Sequence, residues 1–327
     1  MRKAFASEEA CHEYLEAARW PNGVKCLICG HSKVSKFTVK GRVREYADGT
    51  VKTTPDRFMY QCLNGACKYQ FATTTGTLFS DTKLPLSKWM LGIALMVNAK
   101  KGLSAKQMER DLDVSYKTAW FLSHRIRKAM EEGVNMFSGT VELDETYVGG
   151  RYDRRRKRAR YDKAPVFGMI ERETGKVVAG HVPAANNYFI HGEIEKQVSK
   201  TAHVMSDESR LYKSLTRKGW KHEIVVHSNK EWVRGDVHTQ GIDGFWGLLK
   251  RAVIESFHQV SVKHLDRYIA ECQFKWNNRE DRQVFSAVIV GLMINEALRY
   301  KRLTGPTDAE IAAVPLEPSD PSEEMPF

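Results

Sequence analysis

The stretch Thr140 to Tyr147 reads Thr-Val-Glu-Leu-Asp-Glu-Thr-Tyr. Val141 and Leu143 alternate with polar residues, as they do in a β-strand. Three acids, Glu142, Asp144 and Glu145, crowd into it. A carboxylate inside a strand is costly unless its charge is compensated, and a divalent cation is one such compensation. Asp207, closing a strand-like run at 202–206, and Asp243, in the first turn of a helix-like run, repeat the misfit. Lys250 follows Asp243 by two helical turns and so shares its face. Carboxylates converging from a strand, a strand end and a helix form a ligand set for two Mg2+ (or Mn2+) ions. Such ions serve in-line phosphoryl transfer: one activates water or a 3′-hydroxyl, the other stabilises the leaving oxygen. Three unrelated surface or capping aspartates are the alternative, and the combined placement argues against it.

The cysteines point to a second kind of chemistry. Cys26-Leu-Ile-Cys29 is a C-x2-C knuckle followed by Gly30, and Cys62 and Cys67 form a second pair with four intervening residues. Four thiolates on two hairpin knuckles make a tetrahedral structural zinc site, a zinc ribbon. Short β-like runs at 36–39, 43–46 and 57–60 lie between them, and a module this small needs such a staple to fold. No βαβ pattern surrounds the C-x2-C, which argues against a redox role. Two close pairs and two single cysteines suit a reducing cytoplasm better than a disulfide framework.

Elements must then position these groups. Residues 5 to 20 and 86 to 100 have helical periodicity. Ser104 and Ser115 are N-cap types, and the runs they start form a helix-turn-helix pattern, with a merely packing αα-hairpin as the bland alternative. From residue 140 the pattern becomes α/β. Strands are expected at 141–147, 164–170, 176–182, 202–206 and 223–227, and helices at about 188–199, 240–254 and 262–278. Three strands in meander, then helix, strand, helix, strand, helix is the ribonuclease H-like order. The expected partition is a zinc-ribbon domain at 1–84, a helix-turn-helix domain at 85–132, a ribonuclease H-like catalytic core at 133–302 and a disordered tail at 303–327.

The net charge of +11 and pI near 9.3 favour a polyanionic partner, nucleic acid first. The second helix of the pair offers Tyr116, Lys117, Thr118, His124, Arg125, Arg127 and Lys128 for DNA contact. Residues 151 to 160 hold seven basic side chains, among them Arg154, Arg155, Arg156, Lys157 and Arg158, which could grip a phosphate backbone. No apolar run is long enough to cross a membrane, and no secretory signal opens the chain.

Over roughly residues 5 to 300 the chain resembles the DDE transposases of bacterial insertion sequences, in the zinc-ribbon (IS fifteen-ninety-five) group. The likeness rests on Arg19-Trp20-Pro21-Asn22-Gly23, the C-x2-C, Gly76-Thr77-Leu78-Phe79 and Lys88-Trp89. It continues through Glu142 to Gly150, Ser206-Asp207, Val237-His238-Thr239, Gly244-Phe245-Trp246, Leu249-Lys250-Arg251, Tyr268, and Phe274 to Arg279. It implies an enzyme that cuts and joins inverted-repeat DNA ends in the bacterial cytoplasm, associated with the nucleoid and working as a homodimer assembled on DNA. Asp144, Asp207 and position 243 would be its triad and Lys250 the trailing basic residue. The family usually has Glu at the third position, where this chain has Asp243, and often Asn where it has Gln240. A transposase-derived DNA binder with weakened catalysis and a structure-selective nuclease are the competing readings.

Overall fold

A five-stranded sheet underlies the acidic residues. The computed structural model describes residues 5, 7–53, 56–133, 135–149, 152–153, 158–159 and 163–306. Three antiparallel strands come first: β6 (Thr140–Val148), β9 (Ala164–Glu171) and β10 (Val177–His181). After helix α5 (Asn187–Gln197), β11 (His203–Ser206) pairs parallel to β6, and β12 (Lys221–Ile224) pairs parallel to β11. The order across the sheet is β10-β9-β6-β11-β12, so the strand that carries Asp144 lies in the middle, beside the strand that leads into Asp207.

Side-chain parity sorts the two faces. Val141 and Leu143 point into a core shared with Ile190 and Ile194 of α5, Val204, Tyr212 and Trp220. Val148, Val166 and Ile170 point the other way, onto α6 (Gln240–Arg251) and α7 (Val262–Asn277) through Ile242, Phe245, Trp246, Leu249, Leu265 and Ile269. A π-helical segment, Ala252–Phe257, prolongs α6. The elements agree with the sequence expectation to within a few residues, with one correction. No helix joins β11 to β12; residues 209–219 run as turns, and Leu211, Tyr212, Leu215 and Trp220 pack on the sheet from them.

The N-terminal part holds α1 (Glu8–Arg19) and a three-stranded sheet of β1 (Val34–Val39), β4 (Arg57–Cys62) and β5 (Gln70–Phe71). The hairpin β2 (Val43–Glu45) and β3 (Val51–Thr53) lies between β1 and β4 in sequence. Glu8 caps the next helix, α2 (Leu86–Asn98), its carboxylate accepting from Leu86 N at 2.8 Å and Ser87 N at 2.9 Å. Helices α3 (Ala105–Leu112) and α4 (Tyr116–Ala129) follow, each capped by a serine hydroxyl, Ser104 on Gln107 N and Ser115 on Thr118 N. Asp113, in the left-handed region at φ 48°, turns the chain between them. Helix α8 (Val284–Ile294) approaches α4 so closely that a Cβ on Gly291 would collide with the Ala129 carbonyl.

Residues up to Ala297 form one compact unit; the described part of the second holds the short helix α9 (Tyr300–Thr304). The expected disordered tail from 307 onward lies outside the described residues. Among the described residues no helix is long and apolar enough to cross a membrane.

Candidate active site and zinc centre

The three acids of β6 have three different surroundings. Asp144 and Glu142 share the face turned to α6, while Glu145 points to the opposite one. Asp144 Oδ2 accepts from Trp246 Nε1 at 2.8 Å. That indole lies against Gly168, which pairs with Asp144 across the ladder, and a Cβ at 168 would come within 2.5 Å of its ring. Glu145 accepts from the Tyr212 hydroxyl. Glu142 is fully buried and bonded to Arg172 and to the first amides of α6. Its charge is therefore compensated by protein partners.

Asp207 follows β11 and stays partly open, its Oδ1 accepting from Ser209 N at 2.9 Å. Asp243 sits exposed in the first turn of α6, and Lys250, also exposed, lies two turns on. The aspartates share one electrostatic neighbourhood. Burial first, then the carboxylates of Glu145, Asp243 and Asp207, push Asp144 up to about 7 against the opposing Trp246 bond. Asp243 is raised by partial burial, with Glu142 and Asp207 adding to the rise and His227 and Lys250 opposing it. Glu145 is raised by burial, then by Asp207, against the Tyr212 bond. Clustered carboxylates that repel one another and offer only oxygen donors fit a hard divalent cation such as Mg2+ or Mn2+.

The cysteines meet as their spacing predicts. The Sγ atoms of Cys26, Cys29, Cys62 and Cys67 all lie within 4.8 Å of one another. Cys26 and Cys67 are 3.8 Å apart and Cys29 and Cys62 3.6 Å. A tetrahedron with 2.3 Å zinc–sulfur bonds has edges of about 3.8 Å, so the thiols stand at zinc-site spacing. Gly30, at φ 70°, closes the first knuckle, and the Cys29 amide leads the effects that lower Cys26 to about 7. Among the described residues this is the one such group of His, Cys, Asp or Glu ligands; the carboxylates do not close to that spacing.

The basic residues divide. Lys117 is exposed in the first turn of α4, beside Tyr116. Arg125 and Arg127, expected to touch DNA, are turned inward, 6% and 2% exposed. Arg127 Nε bonds Glu271 Oε2 of α7 at 2.7 Å, and its guanidinium lies 4.0 Å from the Tyr268 ring centroid. Arg125 donates to the Ser80 carbonyl at 3.0 Å, lies over Phe121, and is lowered to about 10 by burial. His124 is fully buried, and Lys128 pairs with Glu131. The correction has a simple cause: residues 122–127 of α4 are all buried, because α2, α3, α7 and α8 enclose the helix on several sides there. Arg154, Arg155, Arg156 and Lys157 lie outside the described residues. They fall in sequence between strands β7 (Tyr152–Asp153) and β8 (Arg158–Ala159), which pair antiparallel; Arg158 is described by its backbone alone.

Sequence reasoning did not find Trp246, Arg172, Gly168 or Tyr212. Trp246 stood in the motif Gly244-Phe245-Trp246 without a role, and Gly168 becomes readable only once the strand register is known.

Two family models match the chain. An ISXO2-like transposase domain covers residues 136–277, which include Asp144, Asp207, Asp243 and Lys250, and a transposase zinc-ribbon domain covers residues 6–70. A Halobacterium salinarum protein described as an uncharacterized protein in transposable element ISH50 is 28% identical over 289 residues, 84% of this chain and 92% of the relative. An uncharacterized transposase-like protein of Haemophilus influenzae is 26% identical over 111 residues, 34% of this chain and 89% of its own length.

Proposed function

Because the chain belongs to the ISXO2-like, zinc-ribbon transposases, we propose that it binds the terminal inverted repeats of an insertion sequence and catalyses metal-dependent cleavage and strand transfer at those ends. The observation that carries this reading is the single electrostatic cluster of Asp144, Asp207 and Asp243 inside the matched domain. The sheet order, with a meander followed by two parallel strands, supports a ribonuclease H-like core.

Asp144, Asp207 and Asp243 would hold Mg2+ or Mn2+, which supplies activation of water or a 3′-hydroxyl and charge relief on the departing 3′-oxygen. Trp246 orients the Asp144 carboxylate. Lys250 takes the phosphate beside the scissile bond and keeps the DNA end in line. Helices α3 and α4 act as a helix-turn-helix, with Lys117 at the exposed start of the second helix. The 154–158 basic block grips phosphates without reading sequence. Zinc on the four cysteines holds the N-terminal module together, and two chains assemble on paired ends. The enzyme acts on DNA in the bacterial cytoplasm, at the nucleoid.

The test is nicking and joining of a labelled transposon end with Mg2+ or Mn2+. Asp144→Asn, Asp207→Asn and Asp243→Asn are each expected to abolish cleavage while end binding persists. Asp243→Glu keeps or raises it, and Lys250→Ala lowers it. A parent protein that binds ends but never cuts with either metal would overturn the enzymatic reading in favour of a DNA binder. Cutting without joining would favour a nuclease.

A further inference from the structure

Glu142 is not a ligand candidate, since its oxygens are taken. Oε2 accepts from Gly241 N at 2.7 Å and Ile242 N at 3.1 Å. Oε1 accepts from Arg172 Nε at 2.6 Å, and His238 Nδ1 lies 3.3 Å from it. The same guanidinium donates to the carbonyls of Asp236 at 2.6 Å and His238 at 2.8 Å. Thr239, at the cap position of α6, makes no side-chain cap bond. The helix is instead capped by a carboxylate from a strand about a hundred residues earlier in the chain.

Two residues further along the same face of β6, Asp144 takes the indole N–H of Trp246. Helix α6 is thus stitched to β6 at two points, Gly241–Ile242 and Trp246, and Asp243 lies between them. We infer that Glu142 is a positioning residue: by capping α6 from within β6 it fixes the offset between the Asp144 and Asp243 carboxylates, and so the metal affinity of the site. The inference rests on the function proposed above. Mg2+ tolerates little departure from octahedral geometry, so the register of α6 on β6 matters for binding as well as for folding. Gly241 belongs to the same device. A Cβ there would come 2.9 Å from Glu142 Oε2, so the carboxylate or the helix would have to shift and the cap would be disturbed.

The experiment measures Mn2+ binding to the full-length protein by the loss of the free-ion electron paramagnetic resonance signal. Amide hydrogen exchange over residues 239–245 is read alongside. The parent should bind Mn2+ in a manner that Asp144→Asn abolishes. Glu142→Gln should weaken that binding about tenfold or more, the usual effect of losing a partner that orients metal ligands. It should also speed exchange at Gly241 and Ile242, while the thermal melt shows a folded protein. Gly241→Ala gives an independent check, because alanine ordinarily favours a helix over glycine. Here it should weaken Mn2+ binding in the same direction, and it answers the question should Glu142→Gln fail to fold. Asp243→Glu, with its longer arm, should restore part of the affinity lost in either variant. Unchanged Mn2+ affinity in a folded Glu142→Gln or Gly241→Ala protein would overturn the inference and leave the proposed function standing. A parent with no Mn2+ binding sensitive to Asp144→Asn would overturn both.

Discussion

Replacing Arg127 by alanine separates a DNA contact from a core residue. In the structure its guanidinium is sealed from water between α4 and α7, bonded to a Glu271 that has no exposed surface. Breaking a buried ion pair by removing one partner generally costs about 3–5 kcal/mol, because the other charge is left behind. Glu271 keeps a second cation, Lys275 Nζ at 2.6 Å, which also donates to the Ala99 carbonyl at the end of α2. That moves the cost to the low end of the range. Loss of the stacked contacts with Tyr268 at 4.0 Å and Phe257 at 5.1 Å adds part of it back. We expect a loss of about 3 kcal/mol, or roughly 5 °C in melting temperature for a unit of this size. The assay is thermal and urea unfolding, with end-DNA affinity measured well below the melt. A variant that melts with the parent but binds DNA poorly would show that Arg127 reaches the nucleic acid, and the packing argument would be wrong.

The same cluster sets an acid limit. Burial alone would raise Glu271, but Lys275 and Arg127 outweigh it and hold the carboxyl below its ordinary 4.5. Its stabilising contribution is therefore full above the unfolded value and is lost as pH falls through the lower folded one. Melting temperature should drop on acidification below about pH 4.5, and Glu271→Gln should flatten that part of the profile. Cys26→Ser or Cys62→Ser should release about one zinc per chain, read by metal analysis, and loosen residues up to about 70 while the five-stranded sheet stays folded. Gly168→Ala should cost about 1–3 kcal/mol, since the new methyl meets the Trp246 ring. Adding Trp246→Phe should recover part of that loss in the melt, and no recovery would remove the indole as the cause.

The sequence carried the zinc knuckles and the strand around Asp144 because both signals are local. Cysteine spacing needs no knowledge of distant chain, and Val141 and Leu143 reveal their strand by alternation alone. The role of Glu142 could not be read this way. Its partners Arg172 and Gly241 are set by register and by the docking of α6, and in isolation it is one more acid beside Asp144. Arg125 and Arg127 failed for the same reason. A basic run on the second helix of a pair suggests DNA, but the facing acid, Glu271, lies 144 residues further along the chain. The ribonuclease H-like order calls for a helix between β11 and β12, yet Leu211, Tyr212 and Leu215 reach the core from turns. In each case burial against a distant element decided, and single-sequence patterns do not carry that.

The inward face of α4 has a consequence for how such chains can diverge. Ala129 nearly touches Gly291, and Arg127 ends on Glu271, so the helix that would carry sequence recognition is completed by the last two helices of the compact unit. Under the role proposed for this helix, changes of specificity would fall to outward positions such as Tyr116 and Lys117 rather than to the buried residues 122–127. Exchange of the whole helix pair between relatives cannot be done at a cut near residue 132 alone. The inherited block must include the matching segments of α7 and α8, and a chimera lacking them would bring together two half-cores that had never been selected to fit.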